Sequence, residues 1–117
     1  MRNRFGLAVV VAVTTVAHAG FAGAAPRTVV GKWRYEDGSC QRPADVIVIA
    51  PKGMGSDEWF CEFDTVSRTG NRVTWTGRCE SANGELLARR VDATERRGRL
   101  TIEFDGAANG PFVRCGR

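Results

Sequence analysis

Histidine is almost missing from this chain: the only one, His18, lies in an N-terminal stretch with the marks of an export signal. Without an imidazole after that stretch, a serine or cysteine nucleophile has no histidine base. A zinc site would likewise lack its usual nitrogen ligand. The four cysteines, Cys40, Cys61, Cys79 and Cys115, include no Cys-x-x-Cys pair, which excludes a thioredoxin-type redox motif and a zinc knuckle. No catalytic residue, metal or cofactor is therefore expected. Lysine is scarce too, limited to Lys32 and Lys52, so arginine carries nearly all the positive charge. The chain beyond residue 25 holds no repeat, no low-complexity segment and no sustained 3.6-residue apolar period.

The one long apolar run, from Leu7 to Ala17, follows Arg2 and Arg4. A basic start, such a run and small residues beyond it predict a signal peptide over residues 1–25, cleaved after Ala19, Ala24 or Ala25. The run dilutes into Thr, His and Gly, short of the ~20 apolar residues a spanning helix needs, so no stable membrane span is expected after cleavage. Residues 26–117 then form a single domain, periplasmic or secreted. Of 17 basic and 13 acidic residues, losing Arg2 and Arg4 leaves 15 against 13. That balance gives no reason to expect nucleic acid. A domain of this size buries only about 60 to 65% of its unfolded surface. Exported small domains commonly offset that thin margin with disulfides.

Turn signals recur along the domain at Asp37-Gly38, Pro51-Lys52-Gly53, Thr69-Gly70-Asn71, Asn83-Gly84, Arg97-Gly98, Asp105-Gly106 and Asn109-Gly110. Between them lie runs rich in Val, Ile, Thr and aromatics at 29–35, 45–50, 58–67, 72–80, 86–93, 99–105 and 111–115. The pattern predicts an all-β fold, a small antiparallel meander of about seven strands, closed as a barrel or folded as a sandwich. The run 45–50 is apolar throughout after Asp45, as in a strand covered on both faces or one with an apolar outer face. The facing of 86–93 stays open: a two-residue turn carries Ala88 inward, whereas Leu87 and Val91 have the opposite parity.

The hairpin from Glu58 to Glu80 is the most legible piece. With a three-residue loop at Thr69-Gly70-Asn71, Arg68 faces Arg72, and Cys61 falls opposite Cys79. Trp59, Cys61, Phe63, Val73, Trp75 and Cys79 then share the core face, with Gly77 leaving room for the Phe63 ring. Glu62 faces Arg78 and Asp64 faces Thr76 on the other side. This register selects a Cys61–Cys79 disulfide, and elimination leaves Cys40–Cys115.

Three features are candidate sites. Arg89, Arg90, Arg96, Arg97 and Arg99 make a basic cluster suited either to a solvated edge or to an anionic glycan or acidic protein face. Phe60 and Val66 point outward with Glu62, either covered by a neighbouring segment or marking a partner surface. Glu62 and Asp64, on one strand face about 6 to 7 Å apart, have the spacing of a hydrolytic carboxylate pair, although Arg78 already faces Glu62.

Gly31-Lys32-Trp33, opening a meander of short strands, resembles the Gly-x-Trp start of the calycin barrels. That group includes lipocalins and the small periplasmic inhibitors of bacterial secreted metalloproteases. The resemblance implies that the tryptophan packs across the closed end of a barrel. For an inhibitor it also implies that Pro26-Arg27-Thr28 enters a protease. Those inhibitors usually carry a single disulfide, so Cys61 and Cys79 depart from their pattern. The expectation is a non-enzymatic exported domain that binds an envelope or extracellular protein as an inhibitor or contact module. The alternatives are a binder of a small ligand or envelope glycan, and a carboxylate-based hydrolase. A ligand-sized cavity favours the second of these three readings.

Overall fold

The computed structural model describes residues 28–116. The expected signal peptide and Pro26-Arg27 lie outside them. Eight strands follow in order: β1 (Gly31–Tyr35), β2 (Val46–Ala50), β3 (Gly53–Gly55), β4 (Phe60–Thr69), β5 (Arg72–Glu80), β6 (Leu86–Arg96), β7 (Arg99–Phe104) and β8 (Ala107–Arg114). Each pairs antiparallel with the next, and β8 pairs with β1, so the meander closes as a barrel rather than a sandwich. The start of β1 and the β2–β3, β4–β5 and β6–β7 turns lie at one end, here the lower. The segments 36–45, 56–59, 81–85 and 105–106 lie at the upper end.

The interior is filled by alternate residues from every strand, including Trp33, Ile49, Met54, Phe63, Trp75, Val91, Leu100, Ile102 and Phe112. The inward positions of β7, Leu100 and Ile102, are fully buried, as the alternation from Arg99 to Phe104 requires. Strand β2 turns Ile47 and Ile49 inward and leaves Val48 53% exposed, so its continuous apolar run reflects an apolar outer face. At the lower end the Trp33 indole N–H donates to the Val29 carbonyl at 2.8 Å. The Arg114 guanidinium lies 4.3 Å over the same ring and donates to the carbonyls of Val30 and Thr28.

Both expected disulfides are present, Cys61–Cys79 and Cys40–Cys115, as fits an oxidising compartment. The chain-entropy argument scales each with its loop: sequence separations of 18 and 75 correspond to about 3 and about 4.5 kcal/mol.

Three details differ from the sequence expectation, and one point left open there is settled. The segment after Pro51-Lys52 is a strand, β3, whose two glycines made it read as turn alone. They are required because a Cβ on Gly55 would meet the Trp59 carbonyl oxygen at 2.9 Å and one on Gly53 the Cys61 oxygen at 3.2 Å. In the β4–β5 hairpin, Thr69 pairs with Arg72, so Gly70-Asn71 is a two-residue loop with Gly70 at φ 60°. A bulge between Phe63 and Thr65 takes up the difference, and Cys61 still faces Cys79. Asp64 is the extra residue; Thr76 faces Thr65 instead, with the two hydroxyls hydrogen-bonded. Strand β6 starts after a five-residue connection, Ser81–Glu85, which sets Leu87 opposite Cys79 and Val91 opposite Trp75. Finally, Asn109-Gly110 is not a turn but an irregularity inside β8, where the pairing with β7 shifts by one residue.

Candidate functional site

The upper end of the barrel opens into a cup of about 410 Å³. Its floor is Ile47, Phe112 and the Cys61–Cys79 disulfide, and its walls are Tyr35, Trp59 and Phe104. Each wall residue sits where its strand leaves the barrel: Tyr35 ends β1, Phe104 ends β7, and Trp59 leads into β4. Trp59 meets Phe104 edge-on with ring centroids 5.4 Å apart, and Tyr35 lies 4.6 Å from Phe112. The polar groups are few: Ser56, Glu80, Arg89 and Asn109. A concave surface of this volume, walled by aromatic side chains and carrying a few convergent polar groups, is a usual form of a small-ligand site.

Arg89 is the unexpected member. Opposite Gly77, which in turn faces Phe63, it has the parity of the barrel interior. Gly77 has no side chain to oppose it, and Arg89 leans toward the mouth, where Nη1 donates to Asp105 Oδ2 at 2.8 Å. The Asp105 carboxylate also accepts the Arg90 amide at 3.0 Å. The Arg89 guanidinium first, and then that amide, hold the Asp105 carboxyl below its ordinary range. The pair is thus locally neutral, while the guanidinium keeps further N–H donors for a ligand.

The five arginines do not form one patch. Arg89 belongs to the mouth, and Arg90 to the outer face. There Asp92, only 5% exposed, accepts hydrogen bonds from Thr74 Oγ1 at 2.5 Å, Arg90 Nε at 3.2 Å and Arg72 Nε at 3.3 Å. Burial pushes the Asp92 carboxyl up, but the bonds from Thr74, Arg72 and Arg90 together outweigh it, and its pKa lies below the ordinary value. Arg99 reaches across to Glu36. Arg96 and Arg97 stay beside Arg99 at the lower end of the β6–β7 hairpin, where the three line one cleft with Arg72, and Arg96 and Arg97 are exposed and without an ion-pair partner among the described residues.

Phe60 and Val66 are also separate. Phe60 is 43% exposed and borders an apolar groove of about 660 Å³ on the outer face, floored by Gly53 and Gly55, with Val48 on the other side. The bulge moves Val66 off the outward face: it pairs with Trp75 and has core-side parity, yet stays 50% exposed because β3 stops short of it. The same bulge leaves Asp64 without a partner on β5, while Glu62 faces Arg78 as expected. Among the described residues no group of His, Cys, Asp or Glu is arranged to hold a metal ion.

Trp59 was legible as a core-face residue, but nothing in the sequence separates a core aromatic from one at an open rim. Comparison with family models, with curated proteins and with solved structures found no match.

Proposed function

We propose that this is an exported, disulfide-braced β-barrel, periplasmic or secreted, that works by binding rather than catalysis and takes a small ligand in its mouth. The supporting observation is the aromatic cup itself, ligand-sized and set over a packed interior. Neutralisation of Arg89 by Asp105 and the nearby Glu80 carboxylate favour an uncharged ligand. Such a ligand offers a flat apolar body to Trp59, Tyr35 and Phe104 and a hydrogen-bond acceptor to Arg89. An aryl compound with a carbonyl or hydroxyl group meets these terms, as does a sugar ring with one apolar face. Under this reading the resemblance to calycin barrels concerns a ligand-holding barrel more than a protease inhibitor.

Calorimetric titration with neutral aryl ketones and with neutral oligosaccharides tests the proposal. Binding by either class that weakens at least tenfold in Trp59→Ala supports it. Binding that survives Trp59→Ala but is lost in Phe60→Ser moves the site to the outer groove. The exposed Phe60 and Val48 there favour a second reading, contact with a partner protein.

A further inference from the structure

Strand β4 is ten residues long, but β3 pairs with only its first three, Phe60, Cys61 and Glu62. The next residue, Phe63, donates its amide to the Lys52 carbonyl at 2.9 Å. Below that point Asp64–Thr69 are all exposed and have a neighbour on the β5 side only. In a two-residue hairpin the pair closing the turn, here Thr69 and Arg72, is hydrogen-bonded, and bonded pairs then alternate. Ser67 and Thr65 are therefore turned toward β5. Arg68 and Val66 direct their N–H and C=O groups away from it, toward the open edge. Among the described residues no backbone hydrogen bond meets them there. A barrel that is closed at its upper half thus keeps a short free strand edge in its lower half.

We propose that this edge takes an added strand, and that the occupant is an extended acidic segment of a partner protein. Pairing satisfies the four main-chain groups of Val66 and Arg68, the chemistry of strand addition. The side chains on this edge set the sequence of the guest. Val66, half exposed, accepts an apolar residue opposite it. Arg68 lines the lower cleft with Arg97, and neither has an ion-pair partner among the described residues; Glu95 is the single carboxylate lining the same cleft. A second copy of this chain, paired antiparallel through the same edge, would set Arg68 and Arg97 beside a surface carrying the same two positive charges. Glutamate or aspartate in the guest finds opposite charge instead, and that difference selects the acidic partner.

The probe is a capped synthetic hexapeptide of threonines carrying one glutamate and one valine two positions apart, so that both lie on the face meeting Arg68 and Val66, added to the oxidised protein and followed by amide exchange and NMR shifts. Slowed exchange at the Val66 and Arg68 amides is expected. Methylating the peptide nitrogens that face β4 should weaken binding at least tenfold. Arg68→Glu should weaken it about tenfold and restore affinity for the corresponding valine–lysine peptide. Equal affinity for the methylated peptide, or for the valine–lysine peptide on the unmodified protein, overturns the proposal. So does protection of the Val66 and Arg68 amides before any peptide is added, with a dimer in sedimentation assigning the edge to a second copy. The mouth is not involved, so Trp59→Ala should leave this binding unchanged.

Discussion

Gly77→Ala is the sharpest test of the β4–β5 junction. Gly77 sits opposite Phe63, one step from the bulge and two residues before Cys79. Its φ is not in the left-handed region, so alanine meets no backbone penalty there. The obstacle is steric: the added Cβ would stand 2.1 Å from the Glu62 carbonyl oxygen and 2.7 Å from the Phe63 Cα. Ordinary contact begins near 3.4 Å, so β4 must move away from β5 by about 1 Å where the Cys61–Cys79 bridge holds them together. Both obstructing atoms are backbone, which no side-chain rotation can clear. The cost should reach the upper end of the range for overpacking, about 3 kcal/mol. For a domain this size that is a fall in melting temperature of about 12 °C or more. Gly98→Ala is the control. Its φ of +80° strains alanine, but a Cβ there meets nothing within 4 Å. Its cost should be only the left-handed penalty of about 1 to 2 kcal/mol. Thermal unfolding of the oxidised proteins, followed by near-ultraviolet circular dichroism, compares the two. A Gly77→Ala loss no larger than that of Gly98→Ala would refute the close approach of β4 and β5 and the bulge that produces it.

Two further outcomes follow from the placement of side chains. Trp75, 1% exposed and stacked on Phe63 at 5.2 Å, should cost about 3 to 5 kcal/mol as Trp75→Ala. The exposed Glu62 should cost at most about 1 kcal/mol as Glu62→Ala, so comparable losses of melting temperature would mean the faces are wrongly assigned. Asp92→Asn should destabilise the protein at neutral pH, because the folded state lowers the Asp92 pKa below its ordinary 3.8 and so favours the carboxylate. That contribution is complete above about pH 5 and is lost as pH falls through the folded-state value, so the two proteins should converge in stability at acid pH. A gap that persists unchanged below pH 3 would assign the loss to something other than the charge.

Much of the architecture was legible because hydrophobic alternation and turn residues agree along most of the chain. The disulfide partners came from the hairpin register even though its loop length was misjudged. A two-residue loop followed by a bulge gives the same pairing above Phe63 as a three-residue loop without one, so Cys61 and Cys79 could not distinguish them. Only the residues between loop and bulge could, and Val66, the one apolar residue of β4 in that stretch, was the one sign. Strand β3 was hidden because glycine lowers strand propensity, while its close approach to neighbouring backbone demands glycine. The mouth was least visible. Whether Arg89 faces in or out depends on the length of the Ser81–Glu85 connection, which turn residues alone do not set. The separation of Arg89 and Arg90 from Arg96, Arg97 and Arg99 depends on the facing and length of β6, and their ion pairing on carboxylates distant in sequence, such as Glu36 for Arg99.

The wall of the barrel is not equally strong all the way round. Strand β1 meets β8 through only three paired residues, and β3 meets β4 through three as well. The first of these joints is spanned by the Arg114 contacts and flanked by the Cys40–Cys115 bridge, so the end of β8 is tied covalently to the loop that follows β1. No such link crosses the second. Transient opening short of global unfolding therefore has a preferred place, the β3–β4 joint, where the β2–β3 hairpin can swing outward from β4. That hinge carries Met54 out of the core and uncovers the Trp75 indole, which otherwise donates to the Pro51 carbonyl at the hairpin tip. The molecule is a hoop whose clasp is locked and whose give lies elsewhere, on the flank of the wall that also bears the outer groove and the free edge of β4.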